Sequence, residues 1–177
     1  YEELVAFYQG EHIIAEFVRW HPMLQNANLV RGVVDVIDLG STIHIDTTSE
    51  EVIWQNITSK NRNTIRRAER NGIIIEHSDN PELFHTFIKI YNQTMDRDHV
   101  EEYYYFSDAF YQSIAMRLKG KYKLFYAVYE DKIIAMSIIL FVNRQVHYHL
   151  SGSLFEYRNL NPSNLLLYKV ACWAAKQ

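Results

Sequence analysis

The chain has 177 residues, enough for one domain of ordinary size or one domain and part of another, and with 48% hydrophobic and 14% aromatic residues it is too apolar for a disordered segment. A net charge of −3 provides no global field toward nucleic acid or membrane, and one cysteine, Cys172, excludes a disulfide framework and a cysteine-based metal site. No apolar run approaches the roughly 20 residues that span a bilayer and no signal peptide is visible, so a cytoplasmic protein without a transmembrane segment is expected.

Tyr1 to Gln9 has Leu4, Val5, Phe7 and Tyr8 at helical spacing, and Gly10 ends it. His12 to Trp20 is rich in β-formers and closes at His21-Pro22, which predicts a strand with Arg19 at its polar end. Val33 to Asp46 reads as two β segments broken at Gly40-Ser41, a hairpin. Ser49 to Asn71 reads as one helix: Ser49 caps it, Glu50 and Glu51 favour its N-terminal dipole, and Asn71-Gly72 stops it. Its second half carries Lys60, Arg62, Arg66, Arg67 and Arg70 against one acid, Glu69. Arg62, Arg66 and Arg70, four apart, form a stripe suited to a phosphate that arginine grips bidentately, the alternative being a solvated face.

Ile73 to Ser78 reads as a strand. Asn80 and Pro81 then open a helix that runs to about Thr94, and a second helix covers Ser107 to Leu118. Lys123 to Tyr129, Lys132 to Val142 and Arg144 to Ser151 are β segments joined by Glu130-Asp131 and Asn143-Arg144, short enough for an antiparallel meander. Ile133 to Val142 is apolar on both faces and belongs in the middle of it.

Gln145 to Gln177 is the stretch with most chemistry. Strict alternation puts Gln145, His147, His149 and Ser151 on one face and Val146, Tyr148 and Leu150 on the other, with Gly152 ending the strand. Asn161, as a capping residue, and Pro162 then start a helix just beyond a strand's carboxyl end, where ligands bind in α/β proteins. The candidates are therefore His147 and His149 as base or proton relay, Tyr148 at an oxyanion, and Ser151, Asn161, Lys60, Arg62, Arg66, Arg70 and Arg19 as substrate contacts. His147 and His149 lack a third ligand, and no metal site is expected.

From Ile73 onward the order of strand, two helices, three antiparallel strands and a helix resembles the front of a GNAT-type acyltransferase domain. EFVRWHPMLQN, WQNITSKNRNTIRRAERNGIIIEH and YHLSGSLFEYRNLNPSNLLLYKVACWA are similar to the Fem-type branch, the peptidoglycan bridge aminoacyltransferases, which join two GNAT-like domains. The resemblance implies an α/β (α+β) fold with an antiparallel-centred mixed sheet flanked by helices. It implies that residues 1–48 are the tail of a first domain, 49–72 a connecting basic helix, and 73–177 a second domain whose final strands lie beyond this sequence. The expected function is transfer of an acyl or aminoacyl group to an amine on a small molecule or peptidoglycan precursor. No tightly bound cofactor is expected; the donor is aminoacyl-tRNA or acyl-CoA. SGSLFEYRNLNPSNLL carries Gly152 alone where acyl-CoA enzymes of this type have a Gln/Arg-x-x-Gly-x-Gly/Ala loop, which disfavours ordinary acetyl-CoA binding. The alternative is a non-catalytic GNAT-like module that binds a phosphorylated or nucleic-acid partner.

Overall fold

Two short reversals set the sheet. Glu130 and Asp131 both take positive φ, 47° and 60°, the pattern of a tight type I′ turn, and Asn143 turns the next hairpin at φ 54°. The computed structural model describes residues 1–177, and these turns join β2 (Tyr122–Tyr129), β3 (Lys132–Val142) and β4 (Gln145–Ser153) into the expected meander. β1 (Ile74–Ser78) adds to β2, so the order is β1-β2-β3-β4 with every pair antiparallel.

Helices cover both faces. On one side lie α4 (Phe84–Arg97) and α5 (Asp108–Arg117), whose Phe84, Phe87, Tyr91, Tyr111 and Ile114 pack with Leu124, Met136 and Ile138 of the sheet. On the other, Leu165, Leu166 and Val170 of α6 (Pro162–Ala174) meet Phe125, Ala127 and Ile139, joined by Ile65 and Ala68 of α3 (Ser59–Arg70). Thus β3 is apolar on both faces because helices bury both. This is the antiparallel-centred α/β arrangement that the sequence implied.

The chain divides into two units, Tyr1–His44 and Ile45–Gln177. The first holds α1 (Glu2–Gly10), which follows the expected helix, and a 3-10 turn at Asn26–Leu29. The strands expected at residues 12–20 and 33–46 do not form; a single isolated bridge joins Arg31 and Val34. A strand exists only through a ladder partner, and here Ile14, Phe17, Leu39 and Ile43 are exposed rather than laid against one.

Three further expectations need correction. The single helix over 49–71 is two: α2 (Glu50–Asn56) stops at Ile57, whose backbone is extended, and Thr58 caps α3 through its hydroxyl, which accepts from Asn61 N–H at 3.4 Å. β4 does not end at Gly152 but runs to Ser153. Asn161 precedes α6 in a left-handed conformation (φ 59°, ψ 46°), but its side chain donates to Asn159 C=O at 2.9 Å and caps nothing. Ser49 does cap α2, accepting from Val52 N–H at 3.2 Å.

Candidate active site

β4 carries the three candidate catalytic residues, and its register decides what faces what. Tyr148 lies opposite Ile139 and Leu150 opposite Ile138, so His149 is an extra residue without a ladder partner, a β-bulge. One extra residue shifts the alternation by one step beyond it. Partners across a ladder share a face, so Tyr148 and Ser151 lie on the α6 side with Ile139 and Ser137. His147, Leu150 and Gly152 lie on the α4–α5 side with Leu140, Ile138 and Met136. The expectation that His147, His149 and Ser151 share one face therefore fails for Ser151, and Leu150 crosses the other way.

The bulge leaves the two histidines together. Their rings are 5.5 Å apart, and that of His149 is 6.3 Å from Phe110 of α5. His147 is exposed, whereas His149 is half-buried. Burial, with a smaller push from His147, lowers the His149 pKa below the ordinary histidine value, so its imidazole is neutral at pH 7. Tyr148 points the opposite way: its hydroxyl oxygen accepts from the buried Ser137 Oγ at 2.8 Å. The phenol thus lies on the α6 face of the sheet, away from the histidines. Ser151 faces Ser137 in the same ladder.

The C-terminal end of β4 is held by α4, through residues the sequence reading did not single out. Thr94, buried on the apolar stripe of α4, accepts from Ser153 N–H at 3.0 Å, and its hydroxyl lies 3.0 Å from Ile90 C=O and 3.3 Å from Ser153 C=O. Arg97 donates to Ser153 C=O at 3.5 Å while paired with Asp98 at 2.8 Å. A hydroxyl placed seven residues after Phe87 on an otherwise apolar face was the available signal. Ser153 thus bonds to α4, and β4 is the last strand in the order of the four-stranded sheet. Beyond it, residues 155–160 form a 3-10 turn in which Arg158 stacks on the exposed Phe155 at 3.8 Å, with Arg97 at 5.7 Å from the same ring.

The basic residues of α3 do not act as one stripe. Arg62 turns inward and donates to Trp54 C=O at 3.2 Å, Gln55 C=O at 3.5 Å and Ser59 Oγ at 3.3 Å, closing the C-terminal end of α2. Arg66 lies 5.1 Å over the Trp54 ring, itself packed on Tyr168 at 5.3 Å. Lys60, Arg66, Arg67 and Arg70 are exposed, and Arg66 and Arg70 line a shallow hollow with Asn63 and Glu69. Arg19 is exposed in the first unit.

No group of three or more His, Cys, Asp or Glu side chains is placed to hold a metal ion, and no helix is long and apolar enough to cross a membrane. No curated protein matches the sequence significantly. Among solved structures, that of FemX superposes with a TM-score of 0.64 at 13% identity, over 75% of this chain and 49% of FemX. At that identity the likeness speaks for the fold, and the chain spans about half of that relative's length. The acetyltransferase (GNAT) domain model matches residues 58–177, from the cap of α3 through the sheet to the last helix, and the chain belongs to the GNAT acetyltransferase family.

Proposed function

We propose that this domain transfers an acyl or aminoacyl group to an amine acceptor beside the bulge of β4, with His149 as the proton acceptor. The observation that carries the reading is the bulge at His149, which places a half-buried, neutral imidazole where its own backbone has no partner across the β3–β4 ladder. An aliphatic ammonium, with a pKa of about 10, must lose a proton before it attacks the acyl carbonyl. A neutral imidazole can take that proton, directly or through a water, as C–N bond formation develops a tetrahedral oxyanion. Backbone N–H groups freed from the ladder at the bulge are the donors suited to that oxyanion, because they are fixed before the charge appears. The tetrahedral intermediate collapses by breaking the bond from the acyl carbon to the donor's sulfur or ribose oxygen, which takes up a proton and leaves as a thiol or alcohol, and no covalent enzyme intermediate is needed.

The resemblance to Fem-type aminoacyltransferases supports an amine on a cell-wall precursor as acceptor. The glycine-free turn at 155–160, with Arg158 stacked on Phe155, favours a donor other than acetyl-CoA, because a pyrophosphate held by backbone N–H groups needs close approach that glycines permit. Aminoacyl-tRNA is the donor we infer. Transfer of a radiolabelled group from aminoacyl-tRNA and from acyl-CoA to an amine acceptor tests this. Turnover with the wild type and a fall in kcat of about 10²-fold or more in His149→Ala are expected, the ordinary worth of a general base. The acidic limb of the kcat/KM profile should lie below pH 6.5, because desolvation favours the neutral ring, and should vanish in the variant. No turnover with either donor would leave a binding module, the alternative; unchanged kcat in His149→Ala would remove the histidine from the mechanism.

A further inference from the structure

On the exposed side of α3 the side chains at 60, 63, 66, 67 and 70 fall within one arc of the helix, opposite the buried Ile65 and Ala68. Four of these five are cations, in a chain whose net charge is −3. Arg62, which the sequence pattern groups with them, is withdrawn by its bonds to Trp54 and Gln55 C=O. The helix's only acid, Glu69, is paired with Lys169 of α6 at 2.8 Å, which offsets its charge at the rim of the hollow. The outer face is therefore more uniformly positive than the sequence alone indicates. It is also held firm, since Arg66 rests on Trp54 and Arg62 locks the preceding helix end.

We infer that this face binds the phosphodiester backbone of a nucleic-acid strand. From Lys60 to Arg70 the helix rises about 15 Å, too long for one phosphate or diphosphate and long enough to follow several successive phosphates. The hollow formed by Asn63, Arg66, Glu69 and Arg70 is open and shallow, suited to a backbone lying across it rather than to an enclosed small molecule. No apolar side chain is exposed between Lys60 and Arg70, so the face lacks the residues that would anchor a helix in a lipid surface. The planar forks of Arg66, Arg67 and Arg70 match phosphate oxygens, while Lys60 adds a point charge at one end. The inference rests on aminoacyl-tRNA as the proposed donor and names the surface that would hold its backbone; turnover without RNA binding by this face would overturn the inference alone, and RNA binding without turnover would overturn acyl transfer alone.

Fluorescence anisotropy with a labelled single-stranded RNA of about twelve nucleotides, titrated at several salt concentrations, tests it. With three or four phosphates engaged, log Kobs should fall against log salt with a slope of about −2 to −3, and Kd should lie at about 10⁻⁶ to 10⁻⁴ M at physiological salt. The K60E/R67E/R70E variant should lose binding at least tenfold with an unchanged circular-dichroism melt. Lys60→Ala, a milder change on the first turn, should flatten the slope by about 0.7. Equal binding of single-stranded DNA would support backbone recognition. The inference is overturned if the slope is near zero or neither variant weakens binding. It is equally overturned if inorganic diphosphate displaces RNA at equal concentration, or if polyglutamate or phosphatidylserine vesicles bind as tightly as RNA.

Discussion

Gly152 shows how one residue's role changes with its surroundings. In sequence it reads as the stop of a strand, yet it sits inside β4, buried, where α4 crosses closest. A Cβ there would lie 2.8 Å from Tyr91 Cα and 2.9 Å from Ile90 O and Tyr91 N, all backbone atoms that cannot swing aside. The glycine is a packing requirement, and the same close approach brings Thr94 within reach of Ser153. Gly152→Ala should therefore destabilise the fold by about 1–3 kcal/mol through overpacking, read as a lower midpoint in denaturant at constant slope. A midpoint unchanged from wild type would mean that α4 retreats without cost. His149 illustrates the same dependence, because its depressed pKa arises from burial that its neighbours in the chain do not reveal.

Among the elements, the break between α2 and α3 matters most for the basic face. Ile57 and Thr58 take extended backbone, and the hydroxyl of Thr58 starts the second helix, so two capped helices replace one long one. Arg62 bridges the gap by donating to Gln55 C=O and to Trp54 C=O, which also accepts from Ile57 N–H, at the end of α2 where the helix supplies few donors. Arg62→Ala should cost about 1 kcal/mol, a charge-assisted bond discounted for partial exposure. Faster amide exchange in residues 50–57 should accompany it, with α4 unaffected; uniform exchange changes would show that the elbow is not a local unit. The bulge in β4 is the corresponding device in the sheet, and HYHLS contains no glycine or proline that announces it.

At the scale of the molecule, every buried residue belongs to the unit Ile45–Gln177, and within Tyr1–His44 none is buried. A polypeptide of residues 45–177 should thus retain the far-UV circular dichroism of the sheet and its helices and unfold cooperatively. Loss of cooperativity would show that this unit draws stability from residues 1–44. The meander, its central strand and most of its helices were legible in sequence, because β2 and β3 carry their pattern of burial in their own residues and the turns at Glu130-Asp131 and Asn143-Arg144 are short enough to force antiparallel neighbours. The family was legible for the same reason, since strings such as those around the basic helix and β4 are local features. What the sequence did not determine was anything that depends on register or on a partner. Residues 12–20 and 33–46 have β-forming composition, but composition does not supply a ladder. The phase of β4 beyond Tyr148 depends on how β3 pairs with it, so the split between Ser151 and the histidines, and the inward turn of Arg62, were decided only when distant backbone atoms came within hydrogen-bonding distance.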